Sequence, residues 1–225
     1  MFKTHPLQFV TGREVDTAPR LLTIYFRSYT GSRFESYIDA ENPDEITPRD
    51  LLAVTTLSVH VPSPAAIWLL EDGKEEVRRL LRDIGPVDLT IWDERADLSR
   101  ASPASELWGY VRGHRWPQGE AKSGLGRTKA SKLLAAKRPH LFPIYDRHVA
   151  AALFSDPRTD FWSSLQDLFR SSPELRDALG QAIHRADGMP PNLSLLRSLD
   201  VIVWMRVHGH KWSSDLADLP PLTPP

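Results

Sequence analysis

The stretch SGLGRTKASKLL, Ser123 to Leu134, sets two glycines at the head of a run of cations. Gly124 and Gly126 lack a Cβ, so the backbone can turn tightly and let a ligand approach. The helix expected from Arg127 onward presents unpaired N–H groups and a partial positive charge at its first turn. A phosphate suits such an arrangement. Between Ala121 and His140 stand Lys122, Arg127, Lys129, Lys132, Lys137 and Arg138, with no Asp or Glu among them. The whole chain carries a net charge of -1. The basic concentration is therefore local, and nucleic-acid phosphate is its natural partner.

Downstream lies an Asp-x-His, Asp146 and His148, 22 residues after Gly124. A carboxylate at Asp146 can cap the helix RHVAAALF. It can also assist bond cleavage, by stabilising a developing cation or activating a nucleophile. The two roles are compatible, because a capping geometry fixes where the carboxylate points. Other motifs fail: Lys129 stands where a dinucleotide fingerprint needs its third glycine, and no Walker A pattern occurs. His208 and His210 have no further ligands at metal-binding spacing. Arg112, His114, Arg115 and Trp116, just before the turn, read as a solvated helix end or as a charge-and-stacking contact to nucleic acid. Arg33 and Glu35 in YTGSRFESY read as an ion-paired loop or as part of a cleft.

GLGRTKASKLLAAKRPHLFPIYDRHV as a whole resembles the helix-hairpin-helix DNA glycosylase superfamily, the base-excision enzymes. The resemblance covers Gly124 to Val149 and rests on the Gly-hydrophobic-Gly turn, the small Ala130 and the later Asp-x-His. RDLLAVTTLSVHVP is a looser echo of an early helix of that fold. The chain also resembles an uncharacterised bacterial family near that superfamily. The resemblance implies that Ser123, Gly124, Leu125, Gly126 and Arg127 hold one strand of duplex DNA through backbone N–H groups, with a monovalent cation on backbone carbonyls. No other cofactor and no metal are implied. Lys129 and Lys132 become backbone contacts. Asp146 becomes the catalytic carboxylate acting on a flipped base, with Thr128 and His148 at the pocket. The lyase-type members carry a lysine at the position of Thr128, so this chain sits with the monofunctional glycosylases, which use water. A non-catalytic nucleic-acid-binding module of the same fold, and a helical protein binding an acidic protein partner, are the competing readings.

The elements that must position these groups are helices. Thr47-Pro48, Ser63-Pro64, Ser102-Pro103 and Ser172-Pro173 are helix starts. Each leads into apolar residues at helical spacing, such as Val77, Leu80 and Leu81, or Leu175, Leu179 and Ile183. Val87–Trp92 is the best strand candidate, and Val201–Trp204 could be strand or helix. Trp68, Trp108 and Trp204 fall at core positions of their helices. The reading is mostly α: a compact single helical domain over residues 1–214, with its helix-hairpin-helix region near 104–154 and room for two lobes, then a proline-rich disordered tail over 215–225. Hydrophobic content of 41% supports one substantial core. The absence of Cys removes disulfides, thiolate metal sites and a thiol nucleophile. No apolar run approaches the ~18 residues of a membrane span, and no secretory signal opens the chain, so a cytoplasmic protein is expected.

Overall fold

The computed structural model describes residues 2–12, 17–90, 93–97, 101–116, 123–156 and 159–208. These form twelve α-helices and two 3-10 turns. The helices are α1 (Pro6–Thr11), α2 (Thr17–Ser28), α3 (Phe34–Tyr37), α4 (Pro48–Thr56), α5 (Ser63–Leu70), α6 (Lys74–Ile84), α7 (Pro103–Val111), α8 (Arg127–Lys137), α9 (Arg147–Leu153), α10 (Phe161–Ser171), α11 (Pro173–Arg185) and α12 (Leu195–His208). No strand occurs among the described residues; a single bridge joins Phe2 to Phe154.

Local sequence accounts for most of these elements. α6 buries Val77, Leu80, Leu81 and Ile84 along one stripe and pairs Arg79 with Glu76 and Asp83 on its exposed side. The start at Ser63 and the apolar spacing of Val77, Leu80 and Leu81 belong to two helices, separated at Glu71–Gly73, where Gly73 packs against the Trp68 ring. Val87–Thr90 is turn and extended coil rather than strand; Ile91 and Trp92 lie outside the described residues. Val201–Trp204 is helical. With no neighbouring strand to pair with, its β-branched residues are accommodated by burial, because β propensity depends on packing partners. The proline-rich tail lies outside the described residues.

Two sets of helices pack together. The chain's ends meet in one: α12 lies against α2, α1, α9 and α11. The middle of the chain forms the other: α4 and α7 both pack on α8, and α6 packs on α5 and α7. Leu21, Leu22, Leu80, Leu81, Leu107, Leu133, Phe142 and Phe169 are among the fully buried side chains of one continuous core. Each contributes on the order of 2 kcal/mol by leaving water. Where α2, α8, α9 and α12 come together, the surface opens into a cleft.

Candidate functional site

The cleft encloses about 640 Å3. Tyr25 and Tyr29 line it from α2 and its end, Leu57 to Val59 from the turn after α4, and Thr128 and Lys132 from α8. Asp146 and His148 enter from the start of α9, and Arg197, Asp200 and Trp204 from α12.

Asp146 is the N-cap of α9. Its Oδ1 accepts from the backbone N–H of His148 at 2.7 Å and of Val149 at 3.3 Å. Neither bond uses Oδ2, and the half-buried carboxylate lines the cleft. Its position is tied to α8. The Ser131 hydroxyl donates to the Thr128 carbonyl at 3.0 Å and accepts from the Tyr145 N–H at 2.9 Å. The Arg127 guanidinium lies over the Tyr145 ring, 4.8 Å from its centre. The first turn of α8 and the residue before Asp146 are thus stitched together, which gives the spacing between the glycine turn and Asp146 a physical basis. Sequence reasoning missed Ser131 and Tyr145.

The glycine turn is well built. The Ser123 hydroxyl donates to the Arg112 carbonyl at 2.7 Å and accepts from the Leu125 N–H at 3.2 Å. Leu125 is buried in the core. Gly124 has φ +62, and a Cβ there would stand 2.8 Å from Pro62 Cγ, so only glycine fits without strain. Gly126 has an ordinary φ of -65 and open space around a Cβ. It caps α8 without a side chain, leaving the helix's first N–H groups uncovered by any cap.

The basic segment does not form a continuous cationic face. Lys132, expected to meet a phosphate, is buried, and its Nζ donates to the Leu57 carbonyl at 2.8 Å. Lys137 pairs with Asp50 at 2.6 Å and also donates to the carbonyls of Asp39 and Asn42. Arg138 pairs with Asp44 and donates to carbonyls of Pro43, Leu81 and Gly85. α8 is central, packed between α4 and α7, so its lysines reach into polar cages instead of water. Arg127 is exposed and Lys129 half-buried. Lys122 lies outside the described residues.

Two aromatic expectations also change. Trp116 is neither a solvated end nor a stacking platform: it is buried on Trp68, ring centres 4.0 Å apart, and its indole N–H donates to the Tyr110 carbonyl. Trp204, expected in the core, is half-buried and forms a cleft wall beside Tyr29.

Opposite Asp146 is a cluster that sequence reasoning left undecided or missed. The buried Arg197 guanidinium donates to Glu35 at 2.8 Å, Asp200 at 2.7 Å, the Tyr25 hydroxyl at 2.9 Å and the Gly31 carbonyl at 3.1 Å. Glu35 is therefore the ion-pair partner of a cleft residue, Arg197, and with Arg33 it lines a neighbouring hollow. Burial raises the Asp200 carboxyl to about 6, with Asp146 adding to the shift and Arg197 and Lys132 opposing it. Burial lowers Lys132 from the ordinary lysine value, while Asp200 and Asp146 oppose that shift. Arg197 and Asp200, three apart in the mostly buried first half of α12, were the available signal: opposite charges at ion-pair spacing on a buried stretch are buried together.

His148 and His208 meet edge to face at 4.2 Å; His210 lies outside the described residues. Among the described residues no three His, Cys, Asp or Glu side chains are grouped to hold a metal ion, and no helix is long and apolar enough to cross a membrane.

Residues 18–207 match the model of a family of unknown function, DUF6308. No curated protein and no solved structure matches.

Proposed function

We propose that this chain, which belongs to the DUF6308 family of unknown function, binds duplex DNA through the Ser123–Arg127 turn and hydrolyses the N-glycosidic bond of a nucleotide extruded into the cleft. Asp146 is the catalytic carboxylate of this reading. The observation that carries it is the coupling of Asp146 to the turn: a carboxylate lining a cleft of about 640 Å3 is fixed, through Tyr145 and Ser131, to the first turn of the helix that would hold the phosphate. The volume falls within the ~300–1,000 Å3 typical of small-ligand pockets, enough to take a nucleoside.

The chemistry follows from the side chains present. Backbone N–H groups at the start of α8, with Arg127 and Lys129 nearby, offer donors and charge to a phosphate. Tyr29 and Trp204 offer aromatic faces to an unstacked base. As the sugar–base bond stretches, positive charge grows on the sugar, and Asp146 either stabilises it or takes the proton of an attacking water. Thr128 sits in the cleft where a nucleophilic lysine would be needed for a Schiff base, which favours hydrolysis by water.

Asp146→Asn tests the reading. It keeps an acceptor for the α9 N–H groups and removes the charge. Free base released from a panel of damaged duplexes should fall by at least about 100-fold, with duplex affinity retained. A wild-type protein that binds duplex with a strong salt dependence but releases no base would instead be a binding module.

A further inference from the structure

The cleft does not end at Tyr29 and Thr30. Both residues also line a second, adjoining hollow of about 770 Å3. Arg27, in the last turn of α2, and Arg33, at the end of the 3-10 turn Thr30–Arg33, border it, and Gly188 to Pro191, between α11 and α12, complete it. Both arginines are exposed, and neither guanidinium has an ion-pair or hydrogen-bond partner among the described residues. The Ser28 and Ser32 hydroxyls in the same lining are likewise uncommitted among the described residues. Glu35 is the one carboxylate among the described lining residues, and Arg197 holds its Oε1 at 2.8 Å. The wall shared with the cleft is fixed from within. The buried Arg197 donates to the Gly31 carbonyl at 3.1 Å and to the Tyr25 hydroxyl at 2.9 Å. A Cβ on Gly31 would stand 2.1 Å from that hydroxyl, so glycine is required there. The Ser32 N–H donates to the Tyr29 carbonyl at 3.0 Å. The loop that carries Arg33 is thus anchored to α12, and its backbone is ordered before any ligand arrives.

We propose that this hollow is a second phosphate site, which takes the backbone of the extruded nucleotide's own strand beside the cleft. This rests on the DNA-binding reading above. A nucleotide in the cleft stays joined to its neighbours, so its strand has to leave over the cleft's rim. At Tyr29 and Thr30 that rim opens onto Arg27 and Arg33. A guanidinium without an internal partner offers paired N–H donors that match phosphate oxygens, and a serine hydroxyl adds a single donor. Such contacts position the strand and carry no base preference. Arg27 and Arg33 are therefore binding residues and take no part in bond cleavage. The glycine turn and the hollow grip the strand at two places bordering the cleft, and the second grip offsets part of the cost of unstacking the nucleotide.

A cation in the last turn of a helix also favours that helix's carbonyl end, so the test has to separate binding from a structural role. The full chain is titrated by anisotropy, over a series of salt concentrations, with a short duplex containing a tetrahydrofuran abasic-site analogue. Arg27→Gln with Arg33→Gln should weaken binding about tenfold and lower the magnitude of the salt slope by about 2. Arg27→Lys with Arg33→Lys should keep most of that slope. Single methylphosphonates then neutralise each phosphate in turn. At one or two phosphates on the analogue's own strand, neutralisation should weaken wild type and leave the Gln pair nearly unaffected. These phosphates should differ from those coupled in the same way to Arg127 and Lys129. Unchanged affinity and slope in the Gln pair would overturn the inference. So would weaker binding with an unchanged slope, which assigns the arginines a structural role, or coupling to no phosphate or only to the opposite strand; in each case the DNA-binding reading survives. Wild type that binds no duplex overturns both. Wild type that binds duplex and releases no base removes the hydrolysis and leaves the second phosphate site standing.

Discussion

Four groups converge on the Asp50 carboxylate: the backbone N–H groups of Asp39 and Thr47, the Thr47 hydroxyl and the Lys137 ammonium. Both charged side chains are sealed, at 1% and 0% exposure. Lys137 therefore belongs to the fold and not to a binding face. Lys137→Met leaves Asp50 as a buried, unpaired anion and should cost about 3–5 kcal/mol by chemical denaturation; a change under 1 kcal/mol would put Lys137 at the surface. Asp200 gives a second residue-scale prediction. The folded protein keeps its proton up to about pH 6, whereas an aspartate in the unfolded chain releases it near pH ~4. The folded state thus binds more protons across that window, and the contribution of Asp200 to stability is lost as pH rises through it. Asp200→Asn lacks this loss, so its stability relative to wild type should rise between pH 4 and 7 in denaturant titrations. A pH-independent difference would contradict the raised Asp200 value.

At the scale of elements, the turn before α8 separates structure from binding. Gly124→Ala places a side chain at φ +62 and against Pro62, and should cost about 1–2 kcal/mol. Gly126→Ala meets open space at an ordinary φ, so stability should hold while duplex affinity falls, if a phosphate lies against that backbone. Arg127→Glu with Lys129→Glu, the cations of the basic run that the core does not absorb among the described residues, should weaken duplex binding and reduce the magnitude of its salt slope. Unchanged binding in an anisotropy titration would remove the turn from the interface. Much at this scale was legible in the sequence. Ser-Pro and Thr-Pro starts and the spacing of Val77, Leu80 and Leu81 mark real helices, and Asp146 does cap α9. The destination of the cations was not legible. Lys132, Lys137 and Arg138 look like a solvated face, because a string of residues does not say that α8 is enclosed by other helices. The Arg197–Glu35 pair was hidden for the same reason: its partners lie 162 positions apart.

For the whole molecule, the cleft is a product of chain topology. The helices near the two ends pack on one another through α12 and α2, the middle of the chain packs around α8, and the cleft draws walls from both sets. The turn and Asp146 come from one stretch of sequence; Tyr29, Asp200 and Trp204 complete the cavity from far away. If DNA docks on the turn, the cleft is where an extruded nucleotide must go. The most direct test is a crystal structure of the full chain bound to a short duplex containing a tetrahydrofuran abasic-site analogue, which resists hydrolysis and extrudes at little cost. The sugar ring should lie outside the helix and in the cleft, near Asp146, Lys132 and Trp204, with a neighbouring phosphate on the N–H groups at the start of α8. A sugar left within the duplex, or DNA docked on a face that does not include Gly124 to Arg127, would contradict it.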